Sequence, residues 1–178
     1  MRIEQIMRHD PTRVGPDEPV SRLIEWYAVR GSRSRYTYVV NPEGVLLGVV
    51  TMLDILTLMM EPDVVAGHER REISEAEATR RIHCALAVKK DLPVSRIMRT
   101  DLPTVAPGGM FLEARLLLRE RKITALPVVD AGGVLVGEMT RRVLVKLLDT
   151  MLRDPELFTL KKDCKHLFEG TGSEVFVG

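Results

Sequence analysis

The sequence has 178 residues, of which 45% are hydrophobic and 29% charged, a composition typical of a soluble globular protein with a substantial core. Lysine and arginine number 26 and aspartate and glutamate 25, so there is no overall field to recruit nucleic acid or an acidic membrane. The first residues lack the apolar core of a signal peptide, and no run approaches the roughly 18 apolar residues of a membrane span, which predicts a cytoplasmic protein.

An internal repeat organises the chain. The segment Ile6-Met7-Arg8-His9-Asp10 recurs as Ile97-Met98-Arg99-Thr100-Asp101, and Val-x-Pro follows each copy, at 14–16 and at 105–107. Farther along, Gly48-x-x-Thr51 recurs as Gly137-x-x-Thr140. Self-similarity of this kind predicts a tandem of two similar structural units, each of about fifty residues.

Each repeat carries the same predicted elements in the same order. A helix with apolar residues at helical spacing comes first, with Val20, Leu23, Ile24 and Tyr27 in the first repeat and Phe111, Ala114 and Leu118 in the second. Two strands joined by a Gly-containing turn follow, at 36–40 and 45–50 or at 125–129 and 134–139, and a closing helix begins at Met52 or Arg141. A β-α-β-β-α unit of this size cannot cover both faces of its sheet. We therefore expect an α/β (α+β) fold in which the two repeats pack sheet to sheet as a pseudo-twofold pair.

The junction between the second strand and the closing helix of the first repeat brings a hydroxyl and a carboxylate together. As the N-cap, Thr51 would accept a hydrogen bond from the backbone N–H of Asp54, whose carboxylate would accept from the first turn of the helix. The same geometry suits a ligand, because a helix N-terminus attracts an anion and a fixed carboxylate can bind both hydroxyls of a ribose. The sequence alone leaves both interpretations open.

Two segments lie outside the repeats. The predicted division is a first repeat at 1–60, an inserted helical connection at 61–94, a second repeat at 95–153 and a C-terminal tail at 154–178. In the insertion, Ser74 and Glu77 have the spacing of a capping box and begin a helix that ends near Lys90. Its balanced charges favour a solvated face or a dimer contact over a nucleic-acid arm. The tail suits an edge strand or a partner-seeking segment.

The doubled order of these motifs, including the Leu-Pro-Val-Val-Asp strand at 126–130, resembles the CBS domain family, named for cystathionine β-synthase. The resemblance covers about residues 5–58 and 96–150 and is carried by the order of the motifs rather than by any one of them. It implies a disc-shaped pair that binds adenosine-containing ligands (AMP, ADP, ATP or S-adenosylmethionine) in the clefts between its repeats and often forms homodimers. It implies a regulatory module with no required cofactor, and it names neither the ligand nor the regulated partner.

The resemblance also implies how each cleft is built, with Thr-x-x-Asp from one repeat and the opening Thr and Leu-Pro strand from the other. The first cleft would then comprise Val49, Thr51, Asp54, Thr104, Pro107, Ile123, Thr124, Ala125, Leu126 and Pro127. On side-chain chemistry alone, Val49 and Ile123 suit apolar walls, and Arg35 is a candidate phosphate ligand. The second cleft would combine Thr140 with Arg13, Pro16, Tyr36, Thr37 and Tyr38.

The two clefts differ in how well they match the family pattern. The first matches throughout, whereas in the second Val143 replaces the carboxylate, Arg13 replaces the opening Thr and Tyr38 replaces the Pro. We therefore expect the first cleft to be an intact site and the second a degraded one. Arg33, Arg35 and Arg13 suit either a phosphate or a solvated loop, and the pair Arg141-Arg142 suits either a phosphate contact or an exposed surface.

The sequence also bears on three functions other than ligand sensing. Four scattered histidines without a nucleophile-base motif argue against an enzyme. Cys84 and Cys164 are expected to be free thiols, although His83-Cys84 and Cys164-x-His166 would close a zinc site if the tail folded onto the inserted helix. The main alternative is a ligand-independent dimerisation scaffold in which Thr51 and Asp54 only cap a helix.

Overall fold

The computed structural model of the protein describes residues 1–30 and 36–153, apart from the side chain of Arg30. The first repeat contains β1 (Arg13–Val14), α1 (Val20–Arg30), β2 (Tyr36–Val40), β3 (Leu46–Thr51) and α2 (Met52–Met59). The insertion contains α3 (Pro62–Glu69) and α4 (Glu75–Lys89). The second repeat contains α5 (Phe111–Glu120), β4 (Ala125–Val129), β5 (Leu135–Thr140) and α6 (Arg141–Arg153), and short 3-10 turns lie at Ile3–Gln5 and Val94–Arg96.

Both predicted hairpins are confirmed. Strands β2 and β3 pair antiparallel with Tyr36 opposite Thr51, and β4 and β5 pair in the same way with Ala125 opposite Thr140. Each hairpin turns at a glycine with positive φ, +83° at Gly44 and +78° at Gly133, a conformation that few other residues tolerate. The second strands begin one residue later than predicted, because Val45 and Val134 instead bridge each other across the two repeats.

The helices cover the outer faces of the sheets as the apolar spacing predicts. Val20 and Leu23 of α1 are fully buried against Val39 and Val50, and Ala114 and Leu118 of α5 belong to the matching cluster of the second repeat. A third cluster joins the inner faces of the two sheets through Tyr36, Tyr38, Val49, Ala125 and Leu135. The sheet-to-sheet α/β fold expected from the sequence is confirmed.

The repeated Ile-Met-Arg segments exchange partners between the repeats. Ile3 is buried in the core of the second repeat with Met7 packed beside it, whereas Val94 lies in the core of the first. The backbone of Arg8 pairs with Glu138, and that of Arg99 pairs with Val49. A Cβ on Gly137 would lie 2.9 Å from the carbonyl oxygen of Arg8, and one on Gly48 would lie 2.8 Å from that of Arg99. The Gly-x-x-Thr motif therefore keeps space for the opening segment of the other repeat.

The insertion forms two helices where the sequence predicted one. The predicted helix is α4, and the hydroxyl of Ser74 accepts a hydrogen bond from the backbone N–H of Glu77, as the capping spacing indicated. The carboxylate of Glu77 turns instead to Arg80 and Arg81, so the reciprocal half of the box is replaced by ion pairs. Helix α4 packs against α2 and α3, which places the insertion beside the closing helix of the first repeat. No helix within the described ranges is long and apolar enough to cross a bilayer.

Candidate functional site

Thr51 and Asp54 form a complete capping box at the start of α2. The Thr51 hydroxyl oxygen accepts from the backbone N–H of Asp54 at 3.3 Å, and one carboxylate oxygen of Asp54 accepts from the Thr51 backbone N–H at 2.7 Å. The same Asp54 oxygen also accepts from the Thr51 hydroxyl at 2.6 Å. Thr51 and Asp54, two of the residues predicted for the first cleft, are therefore held together at a helix N-terminus, as the capping interpretation requires.

The other carboxylate oxygen of Asp54 pairs with a residue that the sequence did not single out. Arg99 places its Nε 3.3 Å from Asp54 Oδ1, and the backbone of Arg99 exchanges hydrogen bonds of 2.9 Å with that of Val49. The opening segment of the second repeat thus crosses β3 and brings a guanidinium to the predicted ribose carboxylate. A ribose binding at Asp54 has to displace the half-exposed guanidinium of Arg99.

A cavity of about 1470 Å³ lies in the second cleft. Its walls are the opening segment of the chain, the beginnings of β2 and β4, and the first three turns of α6. Tyr36 and Thr140, both predicted for the second cleft, line it together with Thr124 and Ala125, which were predicted for the first. The hydroxyl of Tyr36 accepts the backbone N–H of Thr124 at 3.4 Å, so these residues meet where the two repeats join.

The charge of this cavity is mainly positive. Of the described residues that line it, Arg8, Arg141, Arg142 and Lys146 are basic and Asp10 is acidic. Helix α6 begins here with Arg141, Arg142, Val143 and Leu144, and the Thr140 hydroxyl accepts the Val143 N–H at 3.1 Å. Two arginines at the positive end of a helix dipole repel it, whereas an anion bound there is attracted by both. This cleft is therefore suited to an anionic group.

A buried polar network supports one wall of the second cleft. Glu138 of β5 is fully buried, and its carboxylate accepts the Tyr38 hydroxyl at 3.0 Å and pairs with Arg8 Nη2 at 3.2 Å. Arg8 also places its Nε 3.3 Å from the Asp10 carboxylate. Burial, followed by the nearby Glu138 charge, raises the pKa of Tyr38 well above its usual value, so Tyr38 remains a hydrogen-bond donor. The network joins the opening segment to both sheets.

The remaining predicted residues have varied surroundings. Val49 is fully buried between the sheets, Leu126 is buried in the second core, and Pro127 is buried beside it. Ile123 is half-buried, Thr104 is exposed, and the Pro107 carbonyl accepts the Glu4 N–H. In the second set, Arg13 donates to the Leu135 carbonyl at 3.0 Å, Thr37 bonds the Tyr27 hydroxyl at 2.6 Å, and Pro16 is half-buried away from the large cavity. Arg33 and Arg35 lie outside the described residues.

Sequence reasoning missed the charged residues that distinguish the clefts. Arg8 and Arg99 belong to a recognised repeat motif, but the motif gave no reason to expect their exchange between repeats. Glu138 carried a usable signal, since a carboxylate interrupts an otherwise apolar strand where the first repeat has Val49. A buried carboxylate needs hydrogen-bonding or charged partners, and Glu138 has both Tyr38 and Arg8.

The zinc alternative depends on residues of which the structure describes only some. Within residues 1–30 and 36–153, no group of three or more His, Cys, Asp or Glu side chains is placed to hold a metal ion. Cys84 is exposed on α4. Cys164 and His166, which the site would also require, lie outside the described residues.

Comparison with known proteins identifies the family. The model of the CBS domain matches residues 3–61 and 94–150, which together make up more than half of the chain. The chain belongs to the CBS domain family. The two matched ranges correspond to the two repeats, and the insertion with α3 and α4 falls between them.

One relative is similar along almost the whole of this chain. An uncharacterised 33.4 kDa protein from a ribosomal RNA operon of Thermofilum pendens is 28% identical over 180 residues, covering 96% of this chain. The match covers 56% of that relative, so this chain spans little more than half of its length.

Solved structures show the same fold at lower identity. A putative acetoin utilization protein (AcuB) from Vibrio cholerae has a TM-score of 0.65 at 22% identity, covering 88% of this chain and 96% of that one. CBSX2, solved in complex with AMP, has a TM-score of 0.64 at 22% identity, covering 85% of this chain and 98% of that one.

Proposed function

We propose that this CBS pair is a regulatory module that binds an adenosine-containing ligand between its two repeats. The observation that carries the proposal is the cavity of about 1470 Å³ in the second cleft, which is lined by both repeats. Pockets for small ligands commonly measure about 300–1,000 Å³, so a nucleotide fits with room for water. CBSX2, which shares this fold, was solved with AMP.

In the second cleft, the chemistry of the walls suits a nucleotide with its phosphates toward α6. Arg141, Arg142 and Lys146 offer charge-assisted hydrogen bonds, and the helix N-terminus adds to the attraction for an anion. The ring of Tyr36 and the apolar side chain of Val143 line the same cavity and offer surfaces for a base. Binding at a surface shared by both repeats gives a ligand a means of changing how the repeats pack.

The first cleft remains a second proposed site, on the residues that the sequence predicted. There Asp54 would accept the ribose hydroxyls, and Thr51 would remain the helix cap. This requires Arg99 to leave Asp54 Oδ1. Because the side chain of Arg99 is 53% exposed, water can solvate its guanidinium once it has left. A released Arg99 would then be available to a phosphate.

A homodimer is the second part of the proposal. Leu53 and Leu56 of α2 and Leu148 and Leu152 of α6 leave between 49% and 81% of their surface exposed. These closing helices carry more exposed apolar surface than a solvated helix face usually does, and a matching face on a second copy would cover it. Helix α4 packs on α2 and so lies beside this surface, where it would modify the dimer.

The competing function is a scaffold that dimerises without a ligand. The complete capping box of Thr51 and Asp54 favours it, because both residues already have partners within the chain. A thermal-shift screen of the purified chain with AMP, ADP, ATP, S-adenosylmethionine and NAD decides between them. A ligand that binds only the folded protein at 100 times its Kd adds about 2.7 kcal/mol to stability, which is readily measured. If none of the five compounds raises the midpoint, the scaffold is the better description.

Titration calorimetry then locates the site. Lys146→Gln should weaken a ligand of the second cleft, and Asp54→Asn should weaken a ligand of the first. Arg115 is an exposed residue of α5 that does not line the cavity. The substitution Arg115→Gln is therefore a matched control for the loss of one positive charge.

A further inference from the structure

We infer that the second cleft recognises the phosphate chain of its ligand and is indifferent to the ribose. This inference rests on the proposed function and goes on to name the part of the ligand that the cleft reads. It predicts that an inorganic polyphosphate binds there on its own and that a 2′-deoxynucleotide binds as well as a ribonucleotide.

Each repeat has one carboxylate near its cleft, and the two carboxylates occupy different positions. In α2 the third residue is Asp54, and its carboxylate sits at the helix N-terminus as an internal anion. The corresponding residue of α6 is Val143, which offers neither a charge nor an acceptor to a pair of hydroxyls. The carboxylate of the second repeat is instead Glu138, which is fully buried and bonded to Tyr38 and Arg8. Glu138 is therefore withdrawn from the cavity.

The second cleft carries an excess of positive charge as a result. Arg141 and Arg142 occupy the first two positions of α6, at the positive end of its dipole, and Lys146 lines the same cavity one turn later. Thr140 uses its oxygen to accept from the Val143 N–H and keeps its hydroxyl hydrogen as a donor. These groups are donors that form charge-assisted bonds with an anion, whereas with a ribose diol they form only bonds to neutral hydroxyl oxygens and supply no charged acceptor for its O–H groups.

Asp10 is the residue that tests this reasoning, because its carboxylate also lines the cavity. It already faces Arg8, with 3.3 Å between Oδ1 and Nε, and it stands in the same cleft as the three cations of α6. If the cleft recognises the phosphate chain, the Asp10 carboxylate repels the ligand. If the cleft recognises the ribose, the Asp10 carboxylate is the group that would accept hydrogen bonds from the diol. Removal of its charge therefore has opposite effects under the two interpretations.

The experiment is calorimetric titration of the full chain with ATP, 2′-deoxy-ATP, inorganic tripolyphosphate and adenosine. Each ligand is measured on the wild-type chain and on Asp54→Asn, which weakens any contribution from a ribose in the first cleft. ATP and 2′-deoxy-ATP should bind within about threefold of each other, since no charge-assisted bond depends on the missing hydroxyl. Tripolyphosphate should bind and compete with ATP, adenosine should bind at least about tenfold more weakly than ATP, and affinity should fall with added salt.

Three variants complete the test. Lys146→Gln and Arg142→Gln should each weaken ATP and tripolyphosphate by about five- to tenfold, with Arg115→Gln as the unaffected control. Asp10→Asn should leave ATP affinity unchanged or raise it, by equal factors for ATP and 2′-deoxy-ATP.

The possible failures are distinct. If no adenosine compound binds, the proposed function fails together with this inference. If ATP binds but 2′-deoxy-ATP binds more than about tenfold more weakly in the Asp54→Asn chain, the inference is overturned and the ligand-binding module stands. A selective loss of ATP affinity in Asp10→Asn overturns it as well. If tripolyphosphate binds equally well to Lys146→Gln and to Arg142→Gln, the anion binds elsewhere and the inference is overturned.

Discussion

The change Asp54→Asn separates a helix cap from a ligand-binding carboxylate. Asn keeps the size of the side chain and one carbonyl oxygen, which can still accept the Thr51 backbone N–H that now bonds at 2.7 Å. It removes the negative charge from the start of α2 and ends the ion pair with Arg99. The variant therefore isolates the charge from the geometry of the cap.

Both lost interactions are modest. A charge at a helix N-terminus contributes about 0.3–1 kcal/mol, and an ion pair with a half-exposed partner such as Arg99 contributes about 0.2–1 kcal/mol. The free energy of unfolding should therefore fall by roughly 0.5–2 kcal/mol. For a chain of this size, that corresponds to a midpoint about 1–8 °C lower. A cap-only role predicts this loss of stability together with unchanged ligand affinity.

A ribose-binding role adds a second effect. Loss of a charged acceptor from a ribose diol should weaken the nucleotide by about 10- to 100-fold, or about 1.4–2.8 kcal/mol. Urea denaturation and calorimetry on the same preparation measure both quantities. Unchanged affinity in a folded Asp54→Asn protein refutes the ribose assignment. A loss of more than about 4 kcal/mol of stability refutes the structural reasoning, since nothing around Asp54 supports so large an effect.

Three further predictions address the packing of the repeats and the proposed dimer. Gly137→Ala should lower the free energy of unfolding by about 1–3 kcal/mol in urea, because the added Cβ lies 2.9 Å from the Arg8 carbonyl, and normal stability would contradict the exchanged segments. Because burial raises the pKa of Tyr38 well above 10.0, its contribution to stability is present below that pH and is lost as the pH rises above it. Tyr38→Phe should therefore flatten the alkaline fall in stability, by up to about 1.4 kcal/mol per pH unit, and an unchanged slope would argue against the buried hydroxyl. Leu53→Glu should convert the proposed dimer to a monomer in sedimentation at micromolar concentration, and a wild-type monomer there would end the dimer proposal.

The fold was accessible from the sequence because its signals are local and occur twice. Apolar spacing located α1 and α5, and the turn glycines located both hairpins. The starts of the closing helices at Met52 and Arg141 followed from the change in periodicity, whereas both second strands end one residue later than predicted, at Thr51 and Thr140. Helix α3 was missed because its apolar residues are few and it is held by contacts with α4, which are not visible in the order of residues.

The candidate site was only partly accessible, since it depends on which segment crosses which sheet. The pairing of Thr51 with Asp54 is local and was predicted, although its cleft was favoured over the one in which the structure has the large cavity. The contacts of Arg8 with Glu138 and of Arg99 with Asp54 join residues from different repeats. Sequence similarity assigns each segment to its own repeat, whereas packing assigns it to the other.

The asymmetry between the clefts follows from the position of one carboxylate in each repeat. Where the strand carries Val49, the guanidinium of Arg99 is left for Asp54 at the helix N-terminus, and that end of the helix is neutralised within the chain. Where the strand carries Glu138, the guanidinium of Arg8 turns to it, and the helix that begins with Arg141 has no internal anion in its first turn. The same backbone can therefore present one cleft whose charges are already paired and one that attracts an anion. Divergence at these few positions is enough to give two repeats of common design clefts of different charge.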